Sequence, residues 1–187
     1  MNIIIFGPPG AGKGTQAKFL VEKLNNFQVS TGEMLRNEIK MDTEIGKKII
    51  NQMNEGKFVE DEIVNKLLEK VVFDNKIKNK LIFDGYPRTL NQAKNLDKIL
   101  NKSNQKLDFI FFLNVKKETI IKRIEKRKDL EKRSDDDENT ILKRFDIYMS
   151  KTKTVLDFYS LKKEFHEIDG NLKIDEISKK IEGIINV

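Results

Sequence analysis

The sequence predicts an α/β fold: a parallel sheet of five strands with helices on both faces. Three observations carry this. Short apolar runs, Ile3 to Phe6, Leu81 to Phe83 and Phe109 to Leu113, alternate along the chain with stretches of helical spacing. The last of these is apolar throughout rather than at every second position, as strands buried on both faces are. The first run leads at once into GPPGAGKGT, Gly7 to Thr15, a glycine turn set between a strand and a helix.

That turn is a phosphate cradle. Its glycines take backbone angles closed to other residues and let an anion touch main-chain N–H groups. The helix behind it aims its positive end at the same point, and Lys13 adds a full charge able to reach the outer phosphates of a nucleotide. Gly7, Gly12 and Lys13 keep the spacing of a P-loop, so the expected architecture is the P-loop NTPase fold. Gly14, however, stands where the pattern wants Ser or Thr, and Thr15 comes one residue late. That hydroxyl ordinarily ligates Mg²⁺ directly, so its displacement argues against an ordinary ATPase or GTPase switch and for a metal held mostly through water.

The remaining elements follow in order. Lys13 to Leu24 reads as a helix with Ala17, Leu20, Val21 and Leu24 as its inner stripe. Phe27 and Val29 form a short strand, and Ser30, Thr31 and Gly32 begin a helix carrying Arg36. Thr31 there serves either as a cap or as a hydroxyl facing a nucleotide. Two further helices, Thr43 to Glu55 and Glu60 to Val72, follow with no strand between them, so residues 30–59 look like a helical insertion able to swing over a ligand.

Leu81 to Asp84 is a strand ending in an acid, which places Asp84 near the glycine loop, where it could orient a hydrated Mg²⁺. A helix starts near Thr89, with Arg88 placed to clamp a second phosphate and Gln92, one turn on, offering a base edge both an acceptor and a donor. Asp108 to Asn114 is a central strand, and the helix from Glu118 to Lys128 sets Arg123 and Arg127 on one face. Ser134 and Asp135 to Asp137 form a cap with an acidic first turn, and Arg144 lies close to three turns beyond Arg133 on the same side. A helix from Thr154 to Lys162, a strand from Glu164 to Ile168 and a closing helix from Lys173 end the chain.

Composition narrows the function classes. A chain of 187 residues supports one full-sized core that buries roughly 70% of its unfolded surface, and 1–187 reads as a single domain. Without cysteine, no disulfide or Cys-based zinc site can form, and the sole histidine, His166, sits in a strand with no companion ligand. No apolar run approaches the ~20 residues of a membrane span, and residues 1–6 run straight into the loop without room for a signal peptide. A cytoplasmic protein without membrane partners is expected. Of 36 basic residues six are arginine, at 36, 88, 123, 127, 133 and 144. Arginine grips phosphate oxygens in pairs as lysine cannot, so these six are candidates for phosphate contact in a chain that otherwise uses lysine.

Several of these motifs, in this order, resemble the adenylate kinase family of nucleoside monophosphate kinases: GPPGAGKGT, STGEMLR, GKFV at Gly56 to Val59, PRTLNQA at Pro87 to Ala93, and DGN at Asp169 to Asn171. The resemblance covers nearly the whole chain. It implies reversible transfer of the terminal phosphoryl group of Mg²⁺-ATP to AMP, giving two ADP, by a monomer with no zinc and no nucleic-acid partner. ATP would be held by Gly10, Ala11, Gly12, Lys13, Gly14 and Thr15 with Arg123 and Arg127, and its base by the Leu172 carbonyl. AMP would be held by Thr31, Arg36, Lys57, Phe58, Val59, Gly85, Tyr86, Pro87, Arg88, Gln92, Arg133 and Arg144. The catalytic set would be Lys13, Arg88, Arg123, Arg127, Arg133 and Arg144, with Asp84 on Mg²⁺ through water.

The longer bacterial members carry a β subdomain as a lid; here only Lys128 to Lys132 remains, so a short lid at about 127–133 is expected. PRTxxQA suits AMP, whereas the pyrimidine monophosphate kinases of the wider family usually carry Asn after the Pro-Arg pair and in place of Gln92. A kinase for UMP or CMP is the nearer alternative. A nucleic-acid-binding or regulatory P-loop NTPase is the distant one, although the chain has neither an aromatic RNA-binding signature nor an Asn-Lys-x-Asp motif.

Overall fold

The computed structural model describes residues 1–131 and 138–186. Its centre is one sheet of β1 (Ile3–Phe6), β2 (Phe27–Ser30), β3 (Leu81–Asp84), β4 (Phe109–Asn114) and β5 (Phe165–Asp169). The order is β2-β3-β1-β4-β5 and every pairing is parallel. Around it lie α1 (Lys13–Leu24), α2 (Thr31–Lys40), α3 (Glu44–Asn54), α4 (Asp61–Val72), α5 (Leu90–Lys102), α6 (Lys117–Glu131), α7 (Glu138–Ile147), α8 (Lys153–Ser160) and α9 (Ile174–Ile185). The predicted five-stranded P-loop NTPase fold is what the chain adopts.

Alternation along the strands divides the core in two. Side chains two apart on a strand share a face, so Ile3 and Ile5 join Ile82, Phe111 and Leu113, while Ile4 and Phe6 join Val29, Phe83 and Ile110. The first face is covered by α1, α6 and α9 through Leu20, Ile120 and Ile181; the second by α4, α5 and α8 through Leu68, Leu96 and Val155. All four β1 residues are buried, each contributing about 1.5–3 kcal/mol, so the strand that aims the glycine loop is also the best anchored.

Local chemistry explains most boundaries. The side chain of Thr43 caps α3 by accepting from Gly46 N–H at 3.0 Å. Lys173 stands before α9, where the Glu176 carboxylate accepts from its N–H at 2.9 Å. Three details differ from the sequence reading. Ser30, not Thr31, caps α2. Val21 and Leu24 are only half-buried, whereas Gln16 is buried on α1, donating to the Ile174 carbonyl and accepting from the Ser178 hydroxyl. A π-helical turn, Tyr148–Thr152, joins α7 to α8 where no element was expected.

Because α1 and α5 leave β1 and β3 towards opposite faces, a crevice opens at the carboxyl ends of these neighbouring strands. Helix α2 lines one side of it through Gly32, Glu33 and Arg36. Arg133, Ser134 and Asp135 to Asp137 lie outside the described residues, as does the side chain of Arg127; of the expected 127–133 lid, 127–131 form the last turn of α6 where a polar connection was expected, and 132–133 lie outside the described residues.

Candidate active site

The crevice has a volume of about 640 Å³, and its lining runs from the glycine loop to α7. Gly10 and Gly12 adopt φ of 77° and 96°, values that let the loop fold back so that Ala11 N–H donates to the Pro8 carbonyl at 3.1 Å. A Cβ on Gly10 would also come within 2.9 Å of the Ile124 side chain. Helix α1 has no side-chain cap, so its first N–H groups are offered to the crevice, and the Lys13 ammonium lies over the loop, donating to the Pro8 carbonyl at 3.0 Å. A positive helix end, a lysine and a ring of amides thus share one concavity.

Asp84 ends β3 beside Ile5 of β1, as the strand-end argument requires. One carboxylate oxygen accepts from the Gln28 side-chain amide at 3.0 Å and lies 3.4 Å from where a Cβ on Gly14 would stand. Asp84 therefore stands in ordinary contact with the first turn of α1, beside the position where the P-loop pattern has Ser or Thr. Asp84 and Glu33 are the acidic residues of the lining, and no group of three or more His, Cys, Asp or Glu gathers among the described residues.

Four arginines from four parts of the chain converge on this crevice: Arg36 from α2, Arg88 from the turn after β3, Arg123 from α6 and Arg144 from α7. Arg88 is set by its own turn. Its Nε donates to the Gly85 carbonyl at 2.7 Å, its N–H donates to the Gln92 side chain at 2.7 Å, and its guanidinium lies 5.4 Å from the Phe58 ring centre. Arg123 donates from one nitrogen to the Ala11 carbonyl and from another to the Leu172 carbonyl, each at 3.1 Å. Partial burial draws its pKa below the usual arginine value, yet guanidinium starts so high that it stays charged at neutral pH.

The other expected contacts fall in several places. Thr15, Phe58, Gly85, Tyr86 and Pro87 line the crevice. The buried Thr31 hydroxyl donates to the Gly85 carbonyl at 2.9 Å, so it holds the Arg88 turn against α2. Gln92 is 3% exposed, and its amide donates to Asp61 at 2.7 Å while accepting from Arg88 N–H. Lys57 pairs with Glu55 at 2.5 Å in solvent, and Val59 is buried in the core. Leu172 meets the site through the carbonyl held by Arg123.

Sequence reasoning missed Gln28, Asp61, Tyr148 and Thr152. Asp61 accepts from both Thr89 and Gln92, and buried Thr152 donates to the Arg88 carbonyl at 3.3 Å. These partners are joined across 28 to 64 residues of sequence, and no local pattern marks them.

Comparison with known proteins agrees with this geometry. The adenylate kinase family matches residues 5–164. The chain is 45% identical to the adenylate kinase of Pelagibacter ubique over all of both chains, and 39% identical to that of Mycoplasma capricolum, again over all of both. It is 38% identical to that of Porphyromonas gingivalis over all of this chain and 96% of the relative. The Pelagibacter alignment runs to 213 positions, so 213 less 187 leaves at least 26 that this chain does not fill, in keeping with a short-lid form. The glycine loop, the strand-end acid, the arginines around one crevice and this identity along the full length agree: the chain belongs to the adenylate kinase family.

Proposed function

We propose that the chain transfers the terminal phosphoryl group of Mg²⁺-ATP to AMP, reversibly, giving two ADP. The observation that carries this is the convergence of Arg36, Arg88, Arg123 and Arg144 on the crevice that holds Lys13 and the glycine loop. One nucleotide triphosphate needs the loop and a lysine; four more cations from separate elements suit two phosphate chains placed end to end. The acceptor is already a phosphate oxygen, so no general base is required. Rate comes from holding two anions in line and neutralising the charge that moves, for which one arginine can supply on the order of 10³ to 10⁵.

In this reading Lys13 and the amides of Gly10 to Thr15 hold the ATP phosphates, with Arg123 and Arg127 on the donor side. Arg36 and Arg88 hold the AMP phosphate, and Arg133 and Arg144 bridge the transferring group. Asp84, with one oxygen steadied by Gln28, suits a hydrated Mg²⁺, an ion that keeps several waters and takes few protein carboxylates. Bound Mg²⁺ would offset charge on the ATP phosphates. Lys57, Phe58, Val59, Gln92 and the Gly85 to Pro87 turn form the AMP side, the Leu172 carbonyl the ATP-base side. Closure of 30–59 and of the short lid keeps water from the terminal phosphate. The protein works as a monomer in the cytoplasm, without nucleic acid or membrane.

The test is ADP formation from ATP with AMP, GMP, CMP and UMP offered in parallel. AMP is expected to be the best acceptor, with slow ATP hydrolysis in the absence of any. A better rate with UMP or CMP, or brisk hydrolysis without acceptor, would replace this reading.

A further inference from the structure

One residue of the crevice wall carries a buried polar atom that the proposed mechanism does not use. Tyr148 opens the π-helical turn, is 9% exposed and lines the crevice, and its hydroxyl has no hydrogen-bond partner among the described residues. It is the one buried side-chain N or O atom of the described residues in that condition. Buried hydroxyls are satisfied in nearly all folded proteins, and π-helical turns gather at functional sites. Burial raises the Tyr148 pKa, so the group is a neutral O–H donor across the physiological range and what it needs is an acceptor.

The surroundings say which acceptor. Tyr148 stands one helical turn beyond Arg144. On the same π-turn Thr152 donates to the Arg88 carbonyl at 3.3 Å, and the Lys151 ammonium lies 5.8 Å from the Phe58 ring that also carries Arg88. The turn is therefore built into the Arg88 and Phe58 end of the crevice. We propose that Tyr148 is a further substrate-binding residue, its hydroxyl donating a hydrogen bond to a phosphate oxygen of the acceptor nucleotide once the crevice has closed on it. This rests on the reading given under Proposed function. A phosphate dianion is the strongest acceptor two nucleotides would bring there, and an aromatic hydroxyl adds a directed bond where arginines add mostly charge.

Steady-state kinetics of wild type and Tyr148→Phe, with AMP and ATP varied in turn, test this, together with thermal unfolding of both proteins without nucleotide. The variant is expected to raise the KM for AMP about tenfold, as loss of a hydrogen bond to a charged group does, and to leave the KM for ATP within about twofold. The melting temperature without nucleotide should not fall, because the hydroxyl has no partner to lose. An unchanged KM for AMP, or an equal rise for ATP, overturns the inference while wild-type turnover of AMP leaves the phosphotransfer reading standing. A lowered melting temperature also overturns it, since the hydroxyl would then serve the fold. Wild type failing to phosphorylate AMP removes both.

Discussion

Arg88 is held by its own turn before any substrate arrives. The Gln92 side chain on its backbone N–H fixes the turn, and the Nε bond to the Gly85 carbonyl with the Phe58 ring beside it sets the direction of the guanidinium plane. Preorganisation of this kind spares the cost of ordering a long side chain at the moment of reaction. Lysine keeps the charge but has no Nε–H to give Gly85 and no planar fork. Arg88→Lys is therefore expected to lower kcat at least about 100-fold, within the range an arginine contributes to phosphoryl transfer, with the melting temperature little changed. Parallel kinetics and thermal unfolding check it, and a kcat within about threefold of wild type would mean that charge alone suffices at this position.

Helices α2 and α3 show how the packing of elements carries function into the site. They meet at Gly46, where an added Cβ would lie 2.2 Å from the Glu38 carbonyl oxygen and 2.8 Å from the Ile39 Cα. Backbone cannot yield as a side-chain tip does, so Gly46→Ala should force the pair apart and cost about 3 kcal/mol. Arg36 rides on α2, hence the KM for AMP should rise while that for ATP holds. A denaturant midpoint equal to wild type would show that the contact is looser than drawn. The strand-end position of Asp84 could be read from sequence, because strand termini are written in adjacent residues. The glycine loop was legible for the same reason. Thr43 was read only as the first residue of its helix, and its capping bond to Gly46 came with the structure. The grip of Asp61 on Gln92, the buried bridge of Gln16 to α9 and the π-turn were not, since each depends on a partner that only tertiary packing brings near. The choice of Ser30 over Thr31 as cap turned on one residue of register, and the Gly85 carbonyl that takes the Thr31 hydroxyl lies 54 positions away.

At the scale of the whole molecule, the three tyrosines of the chain tie its stability to alkaline pH. Tyr86 and Tyr159 lie in the core against α4, α5 and the sheet, and Tyr148 in the crevice wall. Burial raises the pKa of all three, and for Tyr159 the Asp97 carboxylate adds to it. A tyrosine in the unfolded chain ionises near pH 10. Below that pH both states hold the proton and the stability is complete; above it the unfolded state releases protons that the folded state retains, so stability falls as pH climbs towards the folded pKa values. Each tyrosine then costs about 1.4 kcal/mol per pH unit, and three together about 4. Against a total of roughly 5–15 kcal/mol for a domain, the protein should unfold before its tyrosines titrate in place. Tyrosinate absorbance and far-ultraviolet circular dichroism are expected to change together in one steep transition above about pH 10. If absorbance instead rose along a simple titration curve centred near pH 10 while the helical signal persisted, the phenols would be reaching solvent in the native state, and the tight packing of Tyr86 and Tyr159 between sheet and helices would be wrong.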